Sequence, residues 1–262
     1  MYKRQSQTQS SSQAQLEPRV LAALAGDRAF AEAAAGGDQY EGLASVFGGD
    51  RNQAKKALLS AMYGGAGGEA GQLLGVLRRR FPVASGYVET AARAGEEGRV
   101  VRSVLGRTCP PPSAAWRAVT MEAGDPEAER DPGAGRAARA RGRFTRNFVV
   151  QASAADWAAV FLAELRRRLA GLSMPNGITA QRAVPSDGPP GAGAAAAGGE
   201  GRPRLVFFQH DEVIVHCPQE LAQDVVTRVG EAASAAGRLV FGPGPVRFPV
   251  TTAVVTSYAD AK

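Results

Sequence analysis

Cysteine and histidine are nearly missing from this chain: two of each in 262 residues. Cys109 and Cys217 are far apart and neither belongs to a CxxC pair, so a disulfide framework and a structural zinc cluster are both excluded as organising principles. Both histidines, His210 and His216, fall in one short segment, and a His–Asp neighbour pair is not a zinc site. No unbroken apolar run approaches the roughly 18 residues of a membrane span, no signal-peptide pattern precedes the Gln/Ser start, and no internal repeat is visible. These absences predict a soluble, cytoplasmic protein without membrane contact, and a monomer is favoured. What the chain has in excess is Ala, Gly and Arg, with a net charge of +6, which suits a polyanionic partner without specifying a fold.

Three stretches carry chemistry. In the first, Leu205–Phe208 predicts a buried strand and Val213–Val215 the next, with Gln209, His210, Asp211 and Glu212 at the tip between them. Carboxylates held on rigid strands can bind a hard divalent cation such as Mg²⁺; the same residues also suit a hairpin with a solvated acidic turn. In the second, Asp50 can cap a helix on which Arg51, Lys55, Leu59 and Tyr63 recur every four residues, forming a stripe on one face. Two cations, an apolar residue and an aromatic could receive a triphosphate, a sugar and a base, or form a basic face merging into core. In the third, Arg143, Asn147 and Gln151 share the spacing at the start of a further helix and are side chains that donate to phosphates and base edges, or form an ordinary polar face.

Together these stretches resemble the family A DNA polymerases, the bacterial DNA polymerase I group, from about residue 14 to the C-terminus. Arg51, Lys55 and Tyr63-Gly64 match the family's fingers-helix motif, Gln209-His210-Asp211-Glu212 its second carboxylate motif, and Arg143, Asn147 and Gln151, followed by Ala154-Ala155-Asp156, its template-and-primer motif. Gln15-Leu16-Glu17-Pro18-Arg19 matches the tail of its first catalytic motif, and Gly106-Arg107 matches a Gly-Arg pair that follows a strand in the family. The resemblance implies an α+β fold: a helical fingers subdomain plus a palm with an antiparallel sheet, with the N-terminal palm strand and the thumb absent. It implies template-directed DNA synthesis in replication or repair, as the C-terminal part of such an enzyme, with template–primer DNA and a dNTP as partners. Asp211 would bind magnesium in a two-ion mechanism, with Glu212 supporting it and His210 near the primer end. Arg51 and Lys55 would hold the triphosphate and Lys55 would also serve the transfer, while Leu59, Tyr63, Gln15 and Glu17 would line the nucleotide site. Arg143, Asn147 and Gln151 would hold the duplex.

One position departs from that pattern. Five residues before Glu17 the family's first motif carries an aspartate, and this chain has Ser12. Serine cannot replace a carboxylate that bridges two ions, so the second carboxylate is missing and the resemblance also implies, as the alternative, a catalytically impaired fragment that binds DNA and nucleotide.

Along the chain, residues 1–15 predict a disordered Gln/Ser tail, 16–98 a mainly helical fingers region, and 99–262 the palm region, with loops at 110–134 and 174–203. Asp27, Asp38 and Asp50 each predict a helix start. Arg99–Val104 predicts a strand, the cluster Arg136, Arg139, Arg141, Arg143 and Arg146 predicts phosphate contact, and Val246–Ser257 predicts an edge strand interrupted by Pro249.

Overall fold

The computed structural model describes residues 6–12, 16–33, 35, 38–64, 68–121, 132–172, 201–209 and 212–260. In chain order these form β1 (Ser6–Ser12), α1 (Leu16–Ala25), α2 (Arg28–Ala33), α3 (Gln39–Ala44), α4 (Arg51–Tyr63), α5 (Gly68–Arg80), α6 (Pro82–Glu96), α7 (Ala114–Met121), α8 (Pro132–Ala170), β2 (Arg204–Gln209), β3 (Glu212–Pro218), α9 (Ala222–Phe241) and β4 (Thr251–Val255). The expected α+β class is observed. The chain divides into a helical unit, residues 15–160 with 237–248, and a sheet unit, residues 1–14 with 161–236 and 249–262. The helical unit therefore runs past the boundary at residue 98 read from the sequence.

In the helical unit the three aspartates start their helices as expected. Asp38 accepts from Tyr40 N and Glu41 N, and Asp50 from Asn52 N and Gln53 N. Asp27 does more: Oδ1 accepts from Phe30 N at 3.0 Å, while Oδ2 accepts from Ala84 N at 3.0 Å, at the start of α6. One buried carboxylate thus satisfies orphan amides of two helices that are far apart in sequence. The core is built from Val20, Leu21, Phe30, Leu43, Ala54, Leu58, Phe81, Val88, Val150 and Trp157. Trp157 stacks on Phe248 at 5.4 Å, and Phe248 stacks in turn on Phe241. α6 and α8 approach closely enough that a Cβ at Gly142 would lie 2.7 Å from Glu96 Cγ and 3.0 Å from the Ala92 carbonyl.

Two expectations fail here. Arg99–Val104 forms no strand, only an isolated bridge between Arg102 and Thr108. Its amides are used locally and at its end by α8: Ser103 N donates to the Arg107 carbonyl at 2.8 Å and Val104 N to Ser153 Oγ at 3.0 Å, followed by Leu105 N to Asp156 Oδ2 at 3.1 Å. The span 110–134 is not wholly loop, because α7 occupies part of it. Ser113 Oγ accepts from Trp116 N, and Trp116 Nε1 donates to the Ala137 carbonyl, which anchors α7 on α8. The acidic segment 122–131 and most of the 174–203 span lie outside the described residues.

The sheet unit holds a four-stranded antiparallel sheet in the order β2-β3-β1-β4. Residues 6–12, expected to be disordered, form its inner strand β1, so the palm strand expected to be absent has an occupant. β1 is paired along its length with β3 and over Thr8–Ser12 with β4. A polar Ser/Gln/Thr stretch without Pro or Gly becomes a strand when neighbours on both sides satisfy its backbone groups, whatever its side-chain pattern. β2, expected to be buried, is an edge strand. Val206, Phe207 and Phe208 are 57%, 39% and 42% exposed, and the register shifts between Leu205 and Phe207. β4 lies at the opposite edge, as Pro249 led us to expect. On β3, Val213, Val215 and Cys217 alternate along one buried face, and α9 buries Val225, Val229, Ala232 and Ala233. Within α8 one 18-residue window is apolar enough to cross a membrane by length and composition, although no unbroken apolar run is. Just over half of that apolar window, 56%, is buried inside the protein, as for a core helix.

Candidate nucleotide and nucleic-acid site

The open face of α4 is the one that the fourfold spacing picked out. Ala54, Ala57, Leu58, Ala61 and Met62 are buried, which turns Arg51, Lys55 and Tyr63 outward and leaves Leu59 half-buried. Tyr63 is 42% exposed. Arg51 is oriented by its neighbours: Nε donates to Asp38 Oδ2 at 2.8 Å, and the guanidinium lies over the Tyr40 ring at 5.5 Å from its centroid. Asp38 thus caps α3 and aims Arg51 at once. The Tyr40 phenol is pushed up mainly by burial and further by the charges of Glu17 and Asp38 and by Tyr63, with Arg51 pulling it down. Lys55 makes no ion pair among the described residues, unlike its neighbour Lys56, which pairs with Glu69.

The C-terminal end of α4 is fastened to α8. Gly64 ends α4 at φ +81°, where a Cβ would lie 2.7 Å from the Arg143 Cγ, so glycine serves both the left-handed turn and the close approach. Gln151 Nε2 donates to the Tyr63 hydroxyl at 3.1 Å. Arg146 donates to the Ala61 carbonyl at 3.1 Å and sits 3.7 Å from Glu89, which also accepts from Arg78 Nε at 2.6 Å. Burial holds the Arg146 guanidinium below its ordinary range, and Glu89 partly offsets this. Two arginines of the tract expected to contact phosphate are therefore structural: Arg146 braces α4, and Arg141 donates to the Pro110 carbonyl and lies over Trp116. Arg136, Arg139 and Arg143 remain exposed, and Asn147 is half-buried on the same helix. The sequence reading missed the bracing role of Arg146; its one sign in the sequence was its place between Arg143 and Asn147, one residue off the stripe.

The Gly106-Arg107 pair is held by the same helix. Asp156 accepts from Arg107 Nε at 3.2 Å and Ser153 from the Val104 amide, so the Ala154-Ala155-Asp156 stretch supports this loop.

In the sheet unit, Glu212 opens β3. It pairs across the sheet with Gln209 on one side and with Ser12, the last residue of β1, on the other. Glu212 Oε2 accepts from the Tyr258 hydroxyl at 3.0 Å, which pushes the Tyr258 phenol up. His210 and Asp211, like Gln15, lie outside the described residues. Among the described residues no three His, Cys, Asp or Glu side chains gather as a metal site would require. At the tip these residues offer one carboxylate, already hydrogen-bonded to a phenol, and a backbone neighbour that is serine. Asp211, the expected ligand, is not among them, so the described residues supply only part of the expected donor set.

No protein family matches the sequence, and no curated protein does. Among solved structures the chain is similar to the POL domain of Pol1 from M. smegmatis, described in complex with a DNA primer-template and dNTP: TM-score 0.68, 20% identity, with 99% of this chain covered. The matched region is 41% of that chain's length, so this sequence spans well under half of it. The chain accordingly shares the α+β fold of that polymerase domain.

Proposed function

We propose that this chain is the fingers-and-palm portion of a template-directed nucleotidyltransferase of the DNA polymerase type. In this reading it binds a template–primer and a dNTP, and it carries out the transfer step weakly. The observation behind the reading is the meeting of the open α4 face with α8, where Gln151 holds Tyr63 and Arg143 packs on Gly64. The DNA and dNTP bound to the similar POL domain support it.

Arg51 and Lys55 receive the polyphosphate. The exposed Arg51–Asp38 pair contributes little by itself, so Asp38 yields readily to a tighter anion. Lys55, which has no ion pair among the described residues, supplies the second cation, and charge on the transferring phosphoryl is what such cations neutralise. Leu59 meets the sugar and Tyr63 the templating base, with Glu17 beside them; Arg143, Asn147 and Gln151 grip the duplex, and His210 lies near the primer end. Asp211 is the assigned magnesium ligand, with Glu212 next to it in a supporting role.

A second reading, in which the chain binds DNA and nucleotide without catalysis, is favoured by the register of Ser12 beside Glu212, where a bridging carboxylate would be needed. Primer extension with magnesium and DNA binding over a salt series test both. Binding of a primer-template duplex should weaken steeply with salt, with only trace extension. Robust extension that Asp211→Ala abolishes would remove the claim of impairment. Robust extension that survives Asp211→Ala would remove the role of Asp211. Failure to bind the duplex even at low salt would sink the whole reading.

A further inference from the structure

α8 carries a feature that the polymerase reading does not use. Phe144 and Phe148 are four residues apart and their rings pair at 5.9 Å with an interplanar angle of 42°. Phe144 is 43% exposed, whereas Thr145, Val149 and Val150 are buried, so the aromatic pair lies on the outward side of the helix. That side also carries Arg143 and Gln151, because residues 144, 147, 148 and 151 follow the i, i+3, i+4, i+7 spacing of one face. Arg136, Arg139 and Arg143 extend the face as an exposed stripe and make no ion pair among the described residues.

Solvent-exposed aromatic rings serve no purpose in the grip on a phosphate backbone. An apolar protein partner would not favour a rim of three unneutralised guanidinium groups. The combination suits a nucleic-acid strand: the cations follow the phosphates while a ring accepts the face of an unpaired base, which any base can offer. We propose that Phe144, backed by Phe148, is a stacking platform for an unpaired base of a nucleic-acid strand that the Arg136, Arg139 and Arg143 stripe holds by its phosphates. This rests on the DNA-binding reading above and adds to it a contact to bases.

The test uses the full chain and a fluorescently labelled single-stranded thymidine oligonucleotide, with an abasic strand of the same length. Phe144→Ala should weaken binding of the base-bearing strand roughly tenfold without changing the salt dependence. Phe144→Trp should keep the affinity, and Arg143→Ala should lower the salt slope by about one. The native chain should prefer the base-bearing strand, and Phe144→Ala should bind the two strands alike. The proposal is overturned if Phe144→Ala binds like the native chain, or if the native chain does not discriminate against the abasic strand. It is equally overturned if Phe144→Ala alters only the oligomeric state, which would make the face a protein interface. If the native chain binds neither strand nor a primer-template duplex, the DNA-binding reading falls as well. Because Phe144 is exposed, its truncation leaves no internal cavity, and the Phe144→Trp arm separates loss of stacking from loss of folding.

Discussion

The helical and sheet units hold their polar residues in different ways. On the helical side neighbours fix several of the candidate ligand-binding groups: Asp38 and Tyr40 for Arg51, Gln151 for Tyr63, and Arg146 for the last turn of α4. On the sheet side Glu212 has a phenol, and its cross-strand neighbour on β1 is a serine. A surface for gripping anions can be pre-organised by side chains packed around it, because cations on a helix face need only orientation. A site for bridging two ions needs several carboxylates at once, and one substitution breaks it. In the proposed reading, loss of chemistry with retained binding is therefore the easier outcome.

This contrast can be probed from both sides. The largest effect is expected in the core of the helical unit. Trp157→Ala removes the ring stacked on Phe248 and should cost about 3–5 kcal/mol. Urea unfolding monitored by circular dichroism would show it, and a loss below about 1 kcal/mol would mean that the helical unit does not depend on this cluster. Next comes a paired test of the two sites. Arg51→Ala should weaken dNTP binding about tenfold, close to 1.4 kcal/mol, whereas Ser12→Asp should leave nucleotide affinity without divalent ion unchanged and raise primer extension with magnesium. If Arg51→Ala binds nucleotide normally, α4 is not the gripping surface. If Ser12→Asp changes affinity but not extension, the division of labour drawn above is wrong.

The smallest effect belongs to the sheet. Burial pushes the Cys217 thiol up to about 11, while an unfolded thiol titrates near 8.5. Between those values the unfolded chain gives up a proton that the folded one keeps. Stability is therefore full below about pH 8.5 and declines as pH rises toward 11, by less than about 1 kcal/mol at pH 9. Unfolding midpoints measured across pH 7–9.5 should slope downward, and Cys217→Ala should flatten the slope. A slope unchanged in that variant would assign the alkaline loss to other groups.

The legible parts of the fold were those whose signals are local. Asp50 starts α4 where it was expected, because a capping carboxylate acts within one turn. The two hairpin strands were likewise recoverable from their apolar runs. β1 was not, because nothing in its Ser/Gln/Thr sequence encodes the partners that order it. Arg99–Val104 misled in the opposite direction. Its composition suits a strand, but local acceptors such as the Arg107 carbonyl, and Ser153 of α8, take amides that a ladder would have used. At the site, helical spacing found the α4 stripe and the Arg143, Asn147 and Gln151 series. Spacing could not show that Arg141 and Arg146 are drawn inward to carbonyls, since inward and outward arginines are the same letter in the sequence.

Asp27 leaves a mark on the dynamics of the molecule. Because its two oxygens hold the first turn of α2 and the first turn of α6 together, neither helix can fray at that end without stranding a buried charge from the other. Amide hydrogens near Phe30 and Ala84 should then exchange with solvent at matching rates, as members of a single cooperative opening unit. A neutral side chain at position 27 would let the two turns breathe separately.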